Sequence, residues 1–198
     1  MDRDQRSVGL DVLYISPLKA LINDQCERLT SLFSELHVPV HRWHGDVPAS
    51  QKKRVVDDPE GVLLITPESL EALFIRRGPQ MRHVLRTTRY VVVDELHAFI
   101  GSERGRQLQA LLHRVELTTR RRIPRIALSA TLGDMDLACE FLRPSSAQEV
   151  HRIVSTTSGS EVRLQVRGYA ERPPRLAPKD VRHAEQEGSR TPLTDLVA

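Results

Sequence analysis

A parallel α/β fold, with helices on both faces of one sheet, is predicted by three observations. Short apolar runs rich in β-branched residues alternate with segments of helical periodicity along most of the chain. The run Tyr90-Val91-Val92-Val93 is unbroken by any polar residue and ends abruptly in Asp94-Glu95-Leu96-His97. Such a run reads as a strand buried on both faces, the habit of a central parallel strand. Finally, a helical stretch separates nearly every successive pair of strands, as crossover connections between parallel strands require.

Taken in order, residues 8–15 read as the first strand. Leu18 to His37 forms a helix on the apolar positions Leu18, Leu21, Ile22, Leu29, Leu32, Phe33 and Leu36. Val38 to Trp43 is the second strand and Ala49 to Val56 a short helix. Gly61 to Ile65 is the third strand, followed by a helix over Glu68 to Ile75 whose first turn begins at Pro67. A separate short helix around Met81 to Leu85 leads into the Tyr90 strand. Arg104 to Leu117 is helical, Arg125 to Leu128 a strand, and Met135 to Leu142 a helix closed by Pro144. Val150 to Ser155 is expected as a sixth strand. Glu161 to Ala170 alternates as a half-buried or edge strand, and the proline- and charge-rich remainder reads as a linker.

With 198 residues, 39% of them apolar and 28% charged, the chain has the balance of a soluble domain with extensions. No apolar stretch approaches the roughly 18 residues of a membrane span, so no membrane partner is expected. The polar start Met1-Asp2-Arg3-Asp4 is unlike a signal peptide. Cys26 and Cys139 stand far apart in helical patterns, which points to reduced thiols and a cytoplasmic protein. A net charge of +3 permits a polyanion partner, while 4% aromatic residues argue against a base-stacking surface.

The chemistry concentrates in the loops at the C-terminal ends of the strands, where ligands of open α/β sheets sit. Adjacent Asp94 and Glu95 suit one acid holding a metal and the other handling a water proton. After the first strand, Pro17 starts a helix with Lys19 in its first turn, where a cation opposes the helix dipole unless an anion is to be bound. Thr66-Pro67-Glu68 makes a second helix start, and His44-Gly45-Asp46 ends the second strand. Ser129-Ala130-Thr131 follows the fifth strand with small, hydroxylated residues. Each feature has a plainer alternative: Lys19 a solvated lysine, Thr66 an N-cap, His97 a satisfied buried histidine, Ser129 and Thr131 turn hydroxyls, Gly45 and Gly105 turn glycines. A hydrolase using Asp94, Glu95 and His97 as metal ligands is weaker, because three residues in one tight run converge poorly on one ion.

Ser16-Pro17-Leu18-Lys19-Ala20-Leu21, Thr66-Pro67-Glu68-Ser69-Leu70, Asp94-Glu95-Leu96-His97 and Ser129-Ala130-Thr131, in that order and spacing, resemble motifs Ia, Ib, II and III of superfamily 2 helicases. With Trp43-His44-Gly45-Asp46 and Glu103-Arg104-Gly105-Arg106 they are most similar to the large helicase-related (Lhr) proteins of the DEAD/DEAH group. The resemblance covers about residues 8 to 175. It implies a RecA-like sheet, with a partial first helicase lobe over residues 8–160 and a strand plus linker toward a second lobe over residues 161–198. Asp94 would hold the magnesium of Mg–ATP through water, and Glu95 would orient and deprotonate the attacking water. His97 would couple that site to Ser129 and Thr131. Pro17, Lys19, Thr66 and Pro67 would contact successive phosphates of one DNA or RNA strand, with Gly45 letting it pass close and Arg104 and Gly105 flanking it.

One departure is plain. A P-loop needs Gly-x-x-x-x-Gly-Lys-Ser/Thr, yet no glycine here is followed by lysine and no two glycines stand five apart. The resemblance implies that this motif precedes the Ser16 segment, so the expectation is a first lobe cut at both ends, lacking the Walker A strand and the second lobe. ATP and Mg2+ are then cofactors of the complete protein and bind this chain weakly. The alternative is a non-enzymatic fragment that at most binds single-stranded nucleic acid. Since the resemblance places the missing strand between the strand before Ser129 and that near Val150 to Ser155, those two should pair directly, or Ala127 and Val154 should present bare edges.

Overall fold

The computed structural model describes residues 9–130 and 133–154. Five strands, β1 (Val12–Ile15), β2 (Val40–Trp43), β3 (Val62–Ile65), β4 (Tyr90–Val93) and β5 (Arg125–Ala127), form one sheet in the order β2-β3-β1-β4-β5 with every pairing parallel. Among the described residues, five α-helices accompany them: α1 (Lys19–Phe33), α2 (Ala49–Asp57), α3 (Pro67–Val84), α4 (Glu103–Thr119) and α5 (Met135–Leu142). The alternating pattern read from the sequence is the pattern of the fold.

The two faces of the sheet are covered unequally. On one, Leu13, Ile15, Leu63, Ile65, Val91 and Val93 enter a large core with residues of α2, α3, α4 and α5. On the other, Tyr14, Val62 and Leu64 meet Ile22, Cys26, Leu29 and Phe33 of α1. α1 does not extend over the β4–β5 end of that face. Tyr90 is 46% exposed, Val92 is half-buried, and Ile126 and Leu128 are 42% and 45% exposed. The expectation that Tyr90 to Val93 is buried on both faces is therefore corrected: the strand is bonded on both sides, by β1 and β5, but only Val91 and Val93 are buried. The central strand is β1.

Other differences have local causes. α1 stops at Phe33 because the chain turns through His37 at φ 54 ahead of Pro39, so Leu36 is not part of the helix. The two helices expected after β3 form one element with a kink at Arg77, where Pro79 removes a donor from the ladder. Val150–Val154 is not a strand; Ser155 lies outside the described residues, as do Val8, Thr131 and the expected strand and linker from Glu161 onward. Val150 to Ile153 instead line the far side of a groove of about 750 Å³ against Ile126, Ala127, Leu128 and α5. Among the described residues no strand pairs with the outer edge of β5, so Ala127 presents a bare edge there, and Val154 is 65% exposed. Cys139 is buried and Cys26 half-buried, both as free thiols. No helix among the described residues is long and apolar enough to cross a membrane.

α4 is fixed to the β5 end by ions. Glu116 accepts from Arg143 Nη1 at 2.7 Å and from Arg125 Nη2 at 2.9 Å, while the Ile123 N–H donates to it at 3.1 Å. All three side chains are largely buried, at 18%, 13% and 7% exposure for Glu116, Arg143 and Arg125.

Candidate functional site

Asp94 leaves the C-terminal end of β4 with its N–H bonded to the Ile15 carbonyl at 2.8 Å, and the next turn is pinned by Leu96 N–H to the Leu128 carbonyl at 2.9 Å. Asp94 is 9% exposed, and its Oδ1 accepts from the Glu95 N–H at 3.0 Å. Glu95 adopts the left-handed conformation, φ 49 and ψ 49, before a 3-10 turn over Leu96–Ala98. That backbone costs a side-chain-bearing residue about 1 kcal/mol or more. It is held because bonds to Ile15 of β1 and to Leu128, just after β5, fix the residues on either side.

The His97 ring is exposed rather than buried, and its Nδ1 lies 3.0 Å from Ser129 Oγ and 3.2 Å from Glu95 Oε2. Only the serine contact has hydrogen-bond geometry, which leaves Glu95 Oε2 buried without a donor. The imidazole therefore physically joins the acid turn to the segment after β5. Thr131, expected to share this role, lies outside the described residues. Below the pair, the Tyr14 phenol is raised above its ordinary range by burial first, then by the charge of Asp94 and a hydrogen bond to it. The phenol therefore keeps its proton beside that carboxylate.

The second group of expected residues sits on the loops after β1, β2 and β3. Lys19 starts α1, which has no side-chain cap and no acid in its first turn. Its ammonium lies over Gly45, 3.4 Å from where a Cβ would stand, and meets both oxygens of Asp46 at 3.2 Å. Lys19 is thus ion-paired rather than simply solvated. His44, 4% exposed, directs Nε2 at Asn23 Oδ1 at 3.0 Å, an oxygen that also accepts from Arg42 at 3.1 Å. Burial holds this imidazole below its usual range in spite of Asp46. As a neutral ring donating through Nε2, it turns a bare Nδ1 lone pair toward Asp46 Oδ2, 3.7 Å away.

Four expected surface residues are turned inward. Pro17 and Pro67 are buried. Thr66, 7% exposed, is the N-cap of α3, accepting from the Ser69 N–H at 3.3 Å and donating to the Ser69 hydroxyl at 3.0 Å. Gly105 is neither a turn glycine nor open to a strand: it lies buried in the first turn of α4, against the Phe99 carbonyl. Arg104 is bonded to Glu68 and to the Pro17 carbonyl. At these loops the exposed polar groups include those of Lys19, Gly45, Asp46 and Glu68.

The DEAD/DEAH box helicase model matches residues 2–138, well over half of the chain. The chain belongs to the DEAD/DEAH box helicase family. Within that family it is similar to the Lhr helicase/uracil glycosylase of Escherichia coli, 34% identical over 143 residues, and to the ATP-dependent helicase Lhr-Core of Methanothermobacter thermautotrophicus, 33% identical over 141 residues. Each match covers 66% of this chain; it covers 9% of the first relative and 16% of the second. The chain therefore spans less than a fifth of the length of these relatives. Among solved structures, Mycobacterium smegmatis helicase Lhr bound to ssDNA and AMP-PNP superposes with a TM-score of 0.59 at 33% identity, over 68% of this chain and 19% of that one. The DUF1998 helicase MrfA bound to DNA and AMPPNP, 22% identical, shares the fold with a TM-score of 0.58, over 67% of this chain and 19% of that one.

Set in a DEAD/DEAH box lobe, the residues to which sequence reasoning gave no role of their own are Tyr14, Asn23, His44 and Glu68. Tyr14 and Glu68 interact with residues that were singled out, Asp94 and Arg104, and Asn23 and His44 pair with each other beside Gly45 and Asp46. Asn23 lies one helical turn beyond Lys19 on α1, a spacing that could have placed it beside the β2 loop. Tyr14 has no signal of its own, because the register that sets β1 against β4 is not written locally.

Proposed function

We propose that this chain is the part of an ATP-dependent helicase that carries the magnesium-holding and water-activating carboxylates and grips the backbone of one nucleic-acid strand. The observation that carries this reading is the turn after β4, where Asp94 and the strained Glu95 are tied through His97 to Ser129. Asp94 fits a hydrated magnesium ion: it is a single carboxylate with one oxygen bonded to backbone, and among the described residues no group of three His, Cys, Asp or Glu offers a closed metal cage. Magnesium bound with ATP supplies charge neutralisation at the transferred phosphoryl group. Glu95 Oε2, buried and without a donor, is the oxygen that takes the proton of the attacking water. His97 transmits the state of that turn to Ser129, and Thr131 belongs to the same coupling segment. Lys19 and the free N–H groups at the start of α1 hold one phosphate, the start of α3 after Thr66 and Pro67 holds the next, and Gly45 leaves room for the strand between them.

Two outcomes test the two halves. Binding of a fluorescent single-stranded oligodeoxythymidine should weaken with salt by a log–log slope of about 0.7 per phosphate, and Lys19→Ala should lower the slope by about that amount. Asp46 competes with phosphate for Lys19, so Asp46→Asn should tighten binding about two- to fivefold, the range of an exposed ion pair. The gain should vanish when Lys19 is already alanine; a gain that persists would be general charge repulsion. In the second test, residues 1–198 alone, with no Gly-Lys sequence to cradle phosphates, should show no ATPase above buffer. Loss of positioning alone removes about 7–11 kcal/mol of the available catalysis. Glu95→Gln should then be indistinguishable from the parent, and a turnover that disappeared in this variant would restore an enzyme reading for the chain as it stands.

A further inference from the structure

Arg104 stands in the first turn of α4, and its guanidinium reaches two other helix starts. Nε and Nη2 donate to the two oxygens of Glu68, in the first turn of α3, at 2.5 and 3.0 Å. Nη2 also donates to the carbonyl of Pro17, just ahead of α1, at 2.7 Å. The guanidinium carbon lies 5.5 Å from the centroid of the fully buried Phe99 ring. Three of the five N–H donors are therefore committed to segments 36 and 87 residues away in sequence. Burial pushes the Glu68 carboxyl up, but hydrogen bonds and charge from Arg104 outweigh it and hold the group below its usual range, so Glu68 stays ionised. A forked guanidinium is the side chain suited to such a node; a lysine presents a point charge and cannot hold both carboxylate oxygens and a carbonyl in one plane.

We propose that Arg104 is a positioning residue for strand binding: its forked pair with Glu68 and its bond to the Pro17 carbonyl set the separation of the α1 and α3 starts, so that both engage phosphates of one strand together. This rests on the reading of those two helix starts as phosphate contacts. It carries a consequence contrary to simple electrostatics. Glu68 is an acid on a surface that receives a polyanion, yet it promotes binding, because without it Arg104 no longer spans the two loops.

The test measures affinity and salt slope of the full chain for the same oligodeoxythymidine, with thermal melting of each variant alongside. Arg104→Ala and Glu68→Ala should each weaken binding and lower the slope by about 0.7, the share of one phosphate. The double variant should bind no worse than either single one, and Arg104→Lys should recover little. Were Arg104 instead a direct phosphate contact, Glu68→Ala would leave affinity unchanged or raise it, which overturns the proposal. A slope equal to the parent's, with affinity lost only in proportion to the unfolded fraction, also overturns it, since that is the mark of a purely structural pair. Absence of binding by the unmodified chain would defeat the strand-binding function itself and this inference with it.

Discussion

Glu116→Ala is expected to lower the stability of the chain by about 3–5 kcal/mol, the usual effect of removing one partner from a buried ionic cluster. Arg125 and Arg143 are only 7% and 13% exposed, and Glu116 is their shared counter-ion. Without it, the guanidiniums of Arg125 on β5 and Arg143 just after α5 lose their shared counter-ion. Burial by itself would raise the Glu116 carboxyl, but the hydrogen bond from Arg143 and the charge of Arg125 outweigh it, so the folded state holds the group below its ordinary 4.5. The sign of the pH dependence follows. A depressed carboxyl contributes stability that is present above the unfolded value and is lost as pH falls through the folded one. Urea titrations of parent and variant should thus differ most near neutral pH and converge as pH falls below 4.5 and through the depressed folded value. A loss under about 1 kcal/mol at neutral pH would mean that both arginines reach water as surface ions do.

Gly105→Ala should be nearly as damaging, although helix propensity alone favours alanine there by about 1 kcal/mol. A Cβ at this position would stand 1.9 Å from the Phe99 carbonyl oxygen and 3.0 Å from the Phe141 ring. The first of these is backbone and cannot swing aside, so α4 must move from the turn that follows Asp94 and Glu95. Overpacking of this kind costs about 1–3 kcal/mol and sometimes more. Arg104 is the preceding residue, so the variant should also lose strand affinity at temperatures where it remains folded. An unchanged melting temperature would show that the helix start has slack which the close approach to Phe99 does not suggest.

Much of this architecture is legible in the sequence because the signals are local. Runs such as Val62 to Ile65 and Tyr90 to Val93 can be little else than strands, and the crossover helices between them fix a parallel sheet. The acids at the end of β4 could be placed at the ligand-bearing edge for the same reason. What escaped is tertiary. Periodicity identifies Leu32 and Leu36 as apolar, yet both are over 60% exposed, at 68% and 65%, since a pattern does not say which helix covers which strand. Val150 to Val154 has strand-like composition, but Val150 to Ile153 line a groove with the bare edge of β5 and do not pair with it, which composition does not reveal. Arginine choices were the least legible: nothing local separates Arg104, which braces two helix starts, from Arg106, which pairs with Glu103 three residues earlier in the same helix.

The position of β5 at the margin of the sheet bears on how the molecule opens. β1 is bonded on both sides and its side chains are mostly buried, so its amide protons are expected to be among the slowest to exchange with solvent. β5 is three residues long and is bonded to β4 alone among the described strands, so its outward amides exchange through local fraying. His97 and Ser129 meet across this gradient of protection. Their contact joins a turn bonded to β1 to the segment just after the edge strand β5, so the link between them is expected to open with fraying of that edge before the core unfolds, which hydrogen exchange at the Leu128 and Ser129 amides would show.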